Sequence, residues 1–311
     1  MPEYPAFKPL ALEDRPVIME YLAAYRPETS ELTFTNLFIW RHHFWWEWSV
    51  LDGLLLLVSP EKPHTLPGDT EGVQAFGMMP VGLGPRIDAV RELFRHLADV
   101  RGATEPAIRR ADRRLADELS REEDIVVEAC REHFDYVYAV ADLAALSGRK
   151  YHSKKNFVNR FKKEGSFRYD PVDASNISQC RELVDCWCEV RRCEDDLNLM
   201  GEWDAVYEAL DHIDELSLTA GAVVIDNRVA AFSLGELLTH DTAVTHIEKA
   251  DPDIPGLYAL INQQFCENEF AEKDGAVFMN REQDLGVEGL RRAKESYHPV
   301  KMVEKFTIRP R

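Results

Sequence analysis

Residues 217–250, SLTAGAVVIDNRVAAFSLGELLTHDTAVTHIEKA, decide the fold. Ser217–Ile225 and Arg228–Leu238 are two strand-like runs, and Asp226-Asn227 between them has the chemistry of a tight turn. Ala243–Ala250 is a third strand-like run. Beyond it the pattern alternates: a helix over Gly256–Phe270, a strand over Ala276–Met279, a helix over Val287–Ser296 and a closing strand over Met302–Ile308. Upstream, Tyr151–Lys163 reads as a basic helix anchored by Phe157, Val158 and Phe161. Phe167–Pro171 follows as a strand, then helices over Ile177–Cys193 and Glu202–His212. That order fits a mixed sheet with helices on both faces.

The first half repeats the order without a visible sequence repeat. Helices are expected over Leu10–Ala24 and Thr33–Arg41. Phe44–Ser49 and Leu54–Ser59 flank Leu51-Asp52-Gly53, a hairpin signal. A strand over Ala75–Pro80, helices over Ile87–Ala98 and Ala107–Leu119, and a strand over Phe134–Val140 complete it. The aromatic run Phe44-Trp45-Trp46-Glu47-Trp48 is expected to pack as a core strand. At 311 residues, two α/β (α+β) domains are expected, 1–141 and 142–311, each a mixed, mostly antiparallel sheet flanked by helices.

The net charge of −18 excludes a protein that wraps DNA, which needs a broad basic surface. The charge is uneven: residues 149–163 carry seven basic side chains and no acidic one. No segment is apolar and long enough to span a bilayer and no signal peptide is visible, so a cytoplasmic location is expected. The six cysteines contain no CxxC pair and have no His at zinc-ligand spacing beside them. Reduced thiols and no metal site are expected.

Three stretches carry a resemblance: LAALSGRKYHSKKNFVNRF over 143–161, HIEKA over 246–250 with PGLYALIN over 255–262, and NREQDLGVEGLRRAKESYHP over 280–299. Together they resemble a bacterial family related to the C-terminal domain of phosphatidylglycerol lysyltransferases. The resemblance implies a tandem GNAT-like fold, similar also to peptidyltransferases that use aminoacyl-tRNA. It implies an acyl- or aminoacyl-transferase. The polar constellation and the basic segment lie in the second half, so the site is expected there and the first half is expected to be structural. The donor that the resemblance implies is aminoacyl-tRNA or acyl-CoA. Membrane-type lysyltransferases carry a multi-span region that this sequence does not contain. GNAT enzymes cradle a pyrophosphate in a Gly-rich loop opening a helix. The matching loop here, Lys249–Gly256, has one Gly, two Pro and two carboxylates, so standard coenzyme A binding is not expected.

Acyl transfer needs a base, donors for the oxyanion and an acid for the leaving group. His246 and Glu248 share one face of a predicted strand and are candidate bases. Asn280, Arg281 and Glu282 lie at a strand end, where ligands gather in open sheets. Arg281 suits a carboxylate or phosphate, and Asp284 is a candidate cap for the next helix. Tyr297, with Lys294 one turn earlier, is a candidate acid, and Lys294 a candidate substrate-binding group. Lys154, Lys155, Arg160 and Lys162 form a candidate polyanion site for a tRNA acceptor end. The alternative is a non-enzymatic member of the fold that binds a small metabolite or a protein.

Overall fold

The computed structural model describes residues 1–60, 74–165 and 167–311. It divides into two compact units, Met1–Phe134 with Val303–Arg311, and Asp135–Met302. Each is built on a seven-stranded sheet.

The first unit runs β1 (Lys8–Pro9), α1 (Arg15–Tyr25), α2 (Phe34–Ile39), α3 (Arg41–Phe44), β2 (Glu47–Leu51), β3 (Leu54–Ser59), β4 (Phe76–Met78), α4 (Ile87–Arg95), β5 (Ile108–Ala111), α5 (Arg113–Leu119) and β6 (Ile125–Ala129). Asp52 and Gly53 both take positive φ, 50° and 77°, as the two-residue turn between β2 and β3 requires. Trp46 and Trp48 are buried in the core and Trp45 is exposed. The charged helix expected over Ala107–Leu119 is instead a strand and a helix. Ile108 and Ala111 are buried on the sheet, and the Asp112 carboxylate accepts the Leu115 N–H at 2.9 Å, starting α5 only there. Strand β6 carried no sequence signal that was read as a strand.

The second unit runs β7 (Asp135–Ala139), α6 (Val140–Ala145), α7 (His152–Glu164), β8 (Arg168–Pro171), α8 (Ile177–Arg191), α9 (Leu197–Asp211), α10 (Ile213–Leu216), β9 (Thr219–Ile225), β10 (Arg228–Leu237), β11 (Thr242–Ala250), α11 (Leu257–Phe265), β12 (Phe278–Asn280), α12 (Glu288–Glu295) and β13 (Lys301–Val303). The last strand, β14 (Phe306–Pro310), returns to the first sheet. Leu257, Leu260, Ile261 and Phe265 of α11 pack with Val158 and Phe161 of α7 and with Tyr136, Tyr138, Val223 and Ala231 of the sheet. Helix α8 packs on β10 and β11. Cys188 and Cys193 form a disulfide at the end of α8, so the expectation of six reduced thiols fails for this pair.

The two sheets have corresponding strand orders, β1-β2-β3-β4-β5-β14-β6 and β8-β9-β10-β11-β12-β7-β13. In each, a hairpin leads to a strand that pairs in parallel with the strand after the next helix: β4 with β5, and β11 with β12. The sixth position is filled in each case by a strand from the other half of the sequence. β14 pairs with β5 and β6, and β7 pairs with β12. The boundary expected at residue 141 therefore separates two seven-strand runs of sequence, while the compact units exchange the last strand of each run. For the same reason the single closing strand expected over Met302–Ile308 is two strands in two sheets.

Lys305, just before β14, is wholly buried. Its Nζ lies 2.5 Å from the Glu31 carboxylate, which also lies 3.6 Å from Arg110. Burial opposes the Glu31 charge, and Lys305 and Arg110 hold its carboxyl below the usual range. Breaking such a pair strands a buried charge. Lys305→Met is expected to cost the first unit about 3–5 kcal/mol in urea denaturation. The double variant Glu31→Leu/Lys305→Met should recover most of that loss.

Candidate active site

Strands β11 and β12 pair only through Thr242↔Phe278, Ala243↔Met279 and Val244↔Asn280. Past Val244 they part. On the other side of β11, Leu234 faces Ile247 and Gly235 faces Thr245, so His246 is the extra residue of a bulge. Charged side chains take over where the backbone ladder stops. His246 Nδ1 lies 3.0 Å from Glu282 Oε1, and its Nε2 lies 2.9 Å from Glu236 Oε1 on β10. Two residues on, the Glu248 carboxylate accepts from the Arg281 guanidinium at 2.7 Å. Its second oxygen is 3.4 Å from Asn262 Nδ2 of α11.

The segment after β12 is fixed from several sides. Asn280 is buried, donates to Asp135 at 3.0 Å and accepts the Glu282 N–H at 2.8 Å. Glu282 sits in the left-handed region at φ 55°, and its carbonyl accepts the Tyr136 N–H at 3.1 Å. Asp284 is not the cap of α12, whose N-cap position is Val287. It is buried and accepts from Tyr136 Oη at 2.7 Å, from the Gly286 N–H at 2.8 Å and from Arg291 at 2.9 and 3.0 Å. Burial works against that charge, and these donors hold the carboxyl well below the usual carboxylate range.

Helix α12 delivers two more groups. Tyr297 is buried against Tyr138, with ring centroids 6.3 Å apart, and the Arg281 guanidinium lies 5.0 Å from the Tyr297 ring. Burial pushes the Tyr297 hydroxyl up to about 12. Lys294 donates to the Arg281 carbonyl. Burial, then the Arg281 charge, pushes Lys294 down to about 8. For Arg281 itself burial opposes the charge, but Glu248 keeps it firmly protonated.

The start of α7 joins this cluster. Tyr151 Oη donates to the Tyr297 carbonyl at 3.0 Å. Lys154 donates to Ser296 Oγ at 2.6 Å and lies 4.3 Å from the Tyr297 ring centroid. Lys154 therefore belongs with Arg281 and Tyr297. Lys155 is exposed, Arg160 donates to the Pro255 carbonyl at 2.6 Å, and Lys162 lies 3.8 Å from Glu267. Gly256, at φ +90°, lies under Phe157: a Cβ there would sit 2.5 Å from the ring. In the loop before α11, the Asp251 carboxylate accepts the Asp253 N–H at 2.9 Å, occupying a donor that a phosphate cradle would present.

Of the residues singled out in the sequence, Glu248, Arg281, Lys294 and Tyr297 converge, and Lys154 joins them. His246 lies beside them in a different state from the one expected. Both ring nitrogens face carboxylates. Burial disfavours its charge, but the bonds to Glu236 and Glu282 raise it to about 9, so near neutrality it is an imidazolium with no lone pair for a substrate proton. Asn280 and Glu282 shape the turn. Tyr138, Asn262 and Glu236 carried no earlier expectation. Tyr138 alternates with Tyr136 along one predicted strand, which was the available signal.

Residues 22–309 match the family described as phosphatidylglycerol lysyltransferase, C-terminal. The chain belongs to that family. A conserved protein of unknown function from Bacteroides thetaiotaomicron is 31% identical, covers 98% of this chain and 99% of its own, and superposes with a TM-score of 0.85. The structure of L-PGS from Bacillus licheniformis shares the fold at 14% identity, with coverage of 96% and 92% and a TM-score of 0.64. FemX shares it at 9% identity, with coverage of 97% and 96% and a TM-score of 0.57. No curated protein matches. The architecture is thus two GNAT-like halves, and the family relates the chain to transferases. Among the described residues no helix is long and apolar enough to cross a membrane.

The His246 clamp has a testable pH signature. A folded-state value of about 9 against about 6.5 when unfolded means its contribution is whole below pH 6.5 and is lost as pH rises through 9. In urea denaturation at pH 6 and pH 9.5, wild type should lose about 2–3 kcal/mol more than His246→Gln. Equal losses would show that the imidazolium is not held.

Proposed function

We propose that this chain transfers an aminoacyl group from an aminoacyl-tRNA ester to an acceptor, at the gap between β11 and β12. The observation that carries this reading is the buried Arg281–Glu248 pair set against Tyr297 where the two strands part. Family membership and the likeness to FemX support it. The carboxylates of the Lys249–Gly256 loop favour a tRNA ester over coenzyme A, because they occupy the place where a pyrophosphate would need donors.

The acceptor N–H or O–H attacks the ester carbonyl, and its proton passes to Glu248. Arg281 donates to the oxyanion that forms. The bond to the ribose oxygen then breaks, Tyr297 gives that oxygen a proton, and the proton taken up by Glu248 is released to solvent as Tyr297 regains one from it. A hydroxyl near 12 stays protonated at neutral pH and is well matched to an alkoxide leaving group. Lys155 and Lys163, exposed on α7, are placed to meet the phosphates of the donor. A cytoplasmic setting follows from that donor.

The binding-only reading draws on one feature: Glu248 already neutralises Arg281, as it would in a closed site. Transfer of radiolabelled amino acid from charged tRNA, with acyl-CoA in parallel, separates the readings. Arg281→Ala should lower the rate about 10²–10³-fold, and Tyr297→Phe about 10²-fold. No transfer from any charged tRNA would leave only the binding role.

A further inference from the structure

We infer that the acceptor attacks through a primary amine, and that Asn262 and Ser233, beside Glu248, select that amine over a hydroxyl. This rests on the transferase reading and names the reacting group of its acceptor. The product is then an amide.

Ser233 on β10 pairs with Glu248 across the ladder, so the two side chains leave the same face of the sheet, about 5 Å apart at Cβ. Helix α11 covers that face: Ala231, two residues before Ser233, packs in one core with Leu260 and Ile261. From α11, Asn262 brings its Nδ2 to 3.4 Å from Glu248 Oε2, while Arg281 takes the other carboxylate oxygen. A carboxylate only accepts, so the amide turns its NH2 to Glu248 and keeps its oxygen for a different donor. Among the described residues no donor meets it. Asn262 Oδ1 and Ser233 Oγ make no hydrogen bond, although the two residues are 1% and 0% exposed. Tyr258, one helical turn before Asn262, is 41% exposed, and burial and then the Glu248 charge raise its hydroxyl. An acceptor therefore reaches this flank of Glu248 from solvent past the Tyr258 ring.

Buried polar atoms are ordinarily hydrogen-bonded, and leaving one unpaired is costly. Here two such atoms flank the residue that takes the acceptor's proton. The site is also divided by polarity. Arg281 and Tyr297 present donors, which suit the carbonyl oxygen and the leaving ribose oxygen. Glu248 Oε2, Asn262 Oδ1 and Ser233 Oγ gather acceptors on the other flank, where the nucleophile enters. A hydroxyl brings one hydrogen, which goes to Glu248 and leaves Asn262 Oδ1 unmet. A primary amine brings two. Its lone pair attacks the ester carbonyl, one N–H proton passes to Glu248, and the other stays on nitrogen and donates to Asn262 Oδ1. The bond to the ribose oxygen breaks, Tyr297 protonates that oxygen, and the retained hydrogen becomes the N–H of the amide. Ser233 Oγ guides the same nitrogen as it enters.

The linkage in the product tests this. The full chain is incubated with tRNAs charged with radiolabelled amino acids and with cell extract as the source of acceptors. The transferred label is then treated with mild alkali, which cleaves aminoacyl esters and spares amides. Alkali-stable label is expected. Asn262→Ala should lower its rate of formation about 10–100-fold, the loss of one buried acceptor. Affinity for charged tRNA, measured by filter binding, should not change, a separation that a misfolded protein would not give. Alkali-labile label, or an Asn262→Ala rate equal to that of wild type, would overturn this inference and leave the transferase reading. Failure to transfer label from any charged tRNA would remove the transferase reading, and this inference with it.

Discussion

Where β11 and β12 separate after Val244, the backbone ladder between them ends, and charge bridges the gap instead. His246 with Glu282 and Arg281 with Glu248 are the two crossings. Everything that makes the second unit chemically interesting hangs on this parting. A continuous parallel ladder would close the sheet and leave no room beside Arg281. A gap without the two crossings would leave two buried strand ends tied by nothing. The bulge at His246 turns a strand that would merely alternate into one whose imidazole reaches both a neighbour on β10 and the turn after β12.

The supporting shell is built to hold Arg281 still. Asn280 and Asp135 lie beneath the turn, Tyr136 and Arg291 secure it through Asp284, and Glu282 accepts a left-handed backbone because three partners fix it. Strain of this kind persists only where the surroundings determine it, and it commonly accompanies a site that must be precise. On the opposite face of β11, Lys249 is buried 3.2 Å from the Trp187 ring centroid and paired with Glu202.

Much of this was legible in the sequence. The 217–250 run declares its hairpin through Asp226-Asn227, and both residues take positive φ as that turn demands. Arg281, Glu248, Lys294 and Tyr297 were identifiable because polar groups crowded the ends of predicted strands and helices. What stayed hidden was partnership. Nothing local reveals that Glu236, ten residues before His246, lies on the other side of its ring, and that second carboxylate turns a candidate base into a fixed cation. Lys154 reads as one of five basic side chains on the predicted helix Tyr151–Lys163, and only its distance to Tyr297 separates it from the rest. Ile108–Ala111 looked helical because its arginines hid a short alternation that matters only against β4 and β14.

The exchanged strands bear on how the chain is made. A ribosome delivers β1 to β6 first, but the place between β5 and β6 belongs to β14, which follows every strand of the second unit. Until then the edges of β5 and β6 that β14 will cover are unpaired, and Glu31 has no Lys305. The second unit needs nothing beyond β13 and receives β7 before its own strands arrive. The half made first therefore waits on a strand that follows the whole second unit: a chain without β14 would expose open sheet edges, a template for wrong pairing that β14 covers.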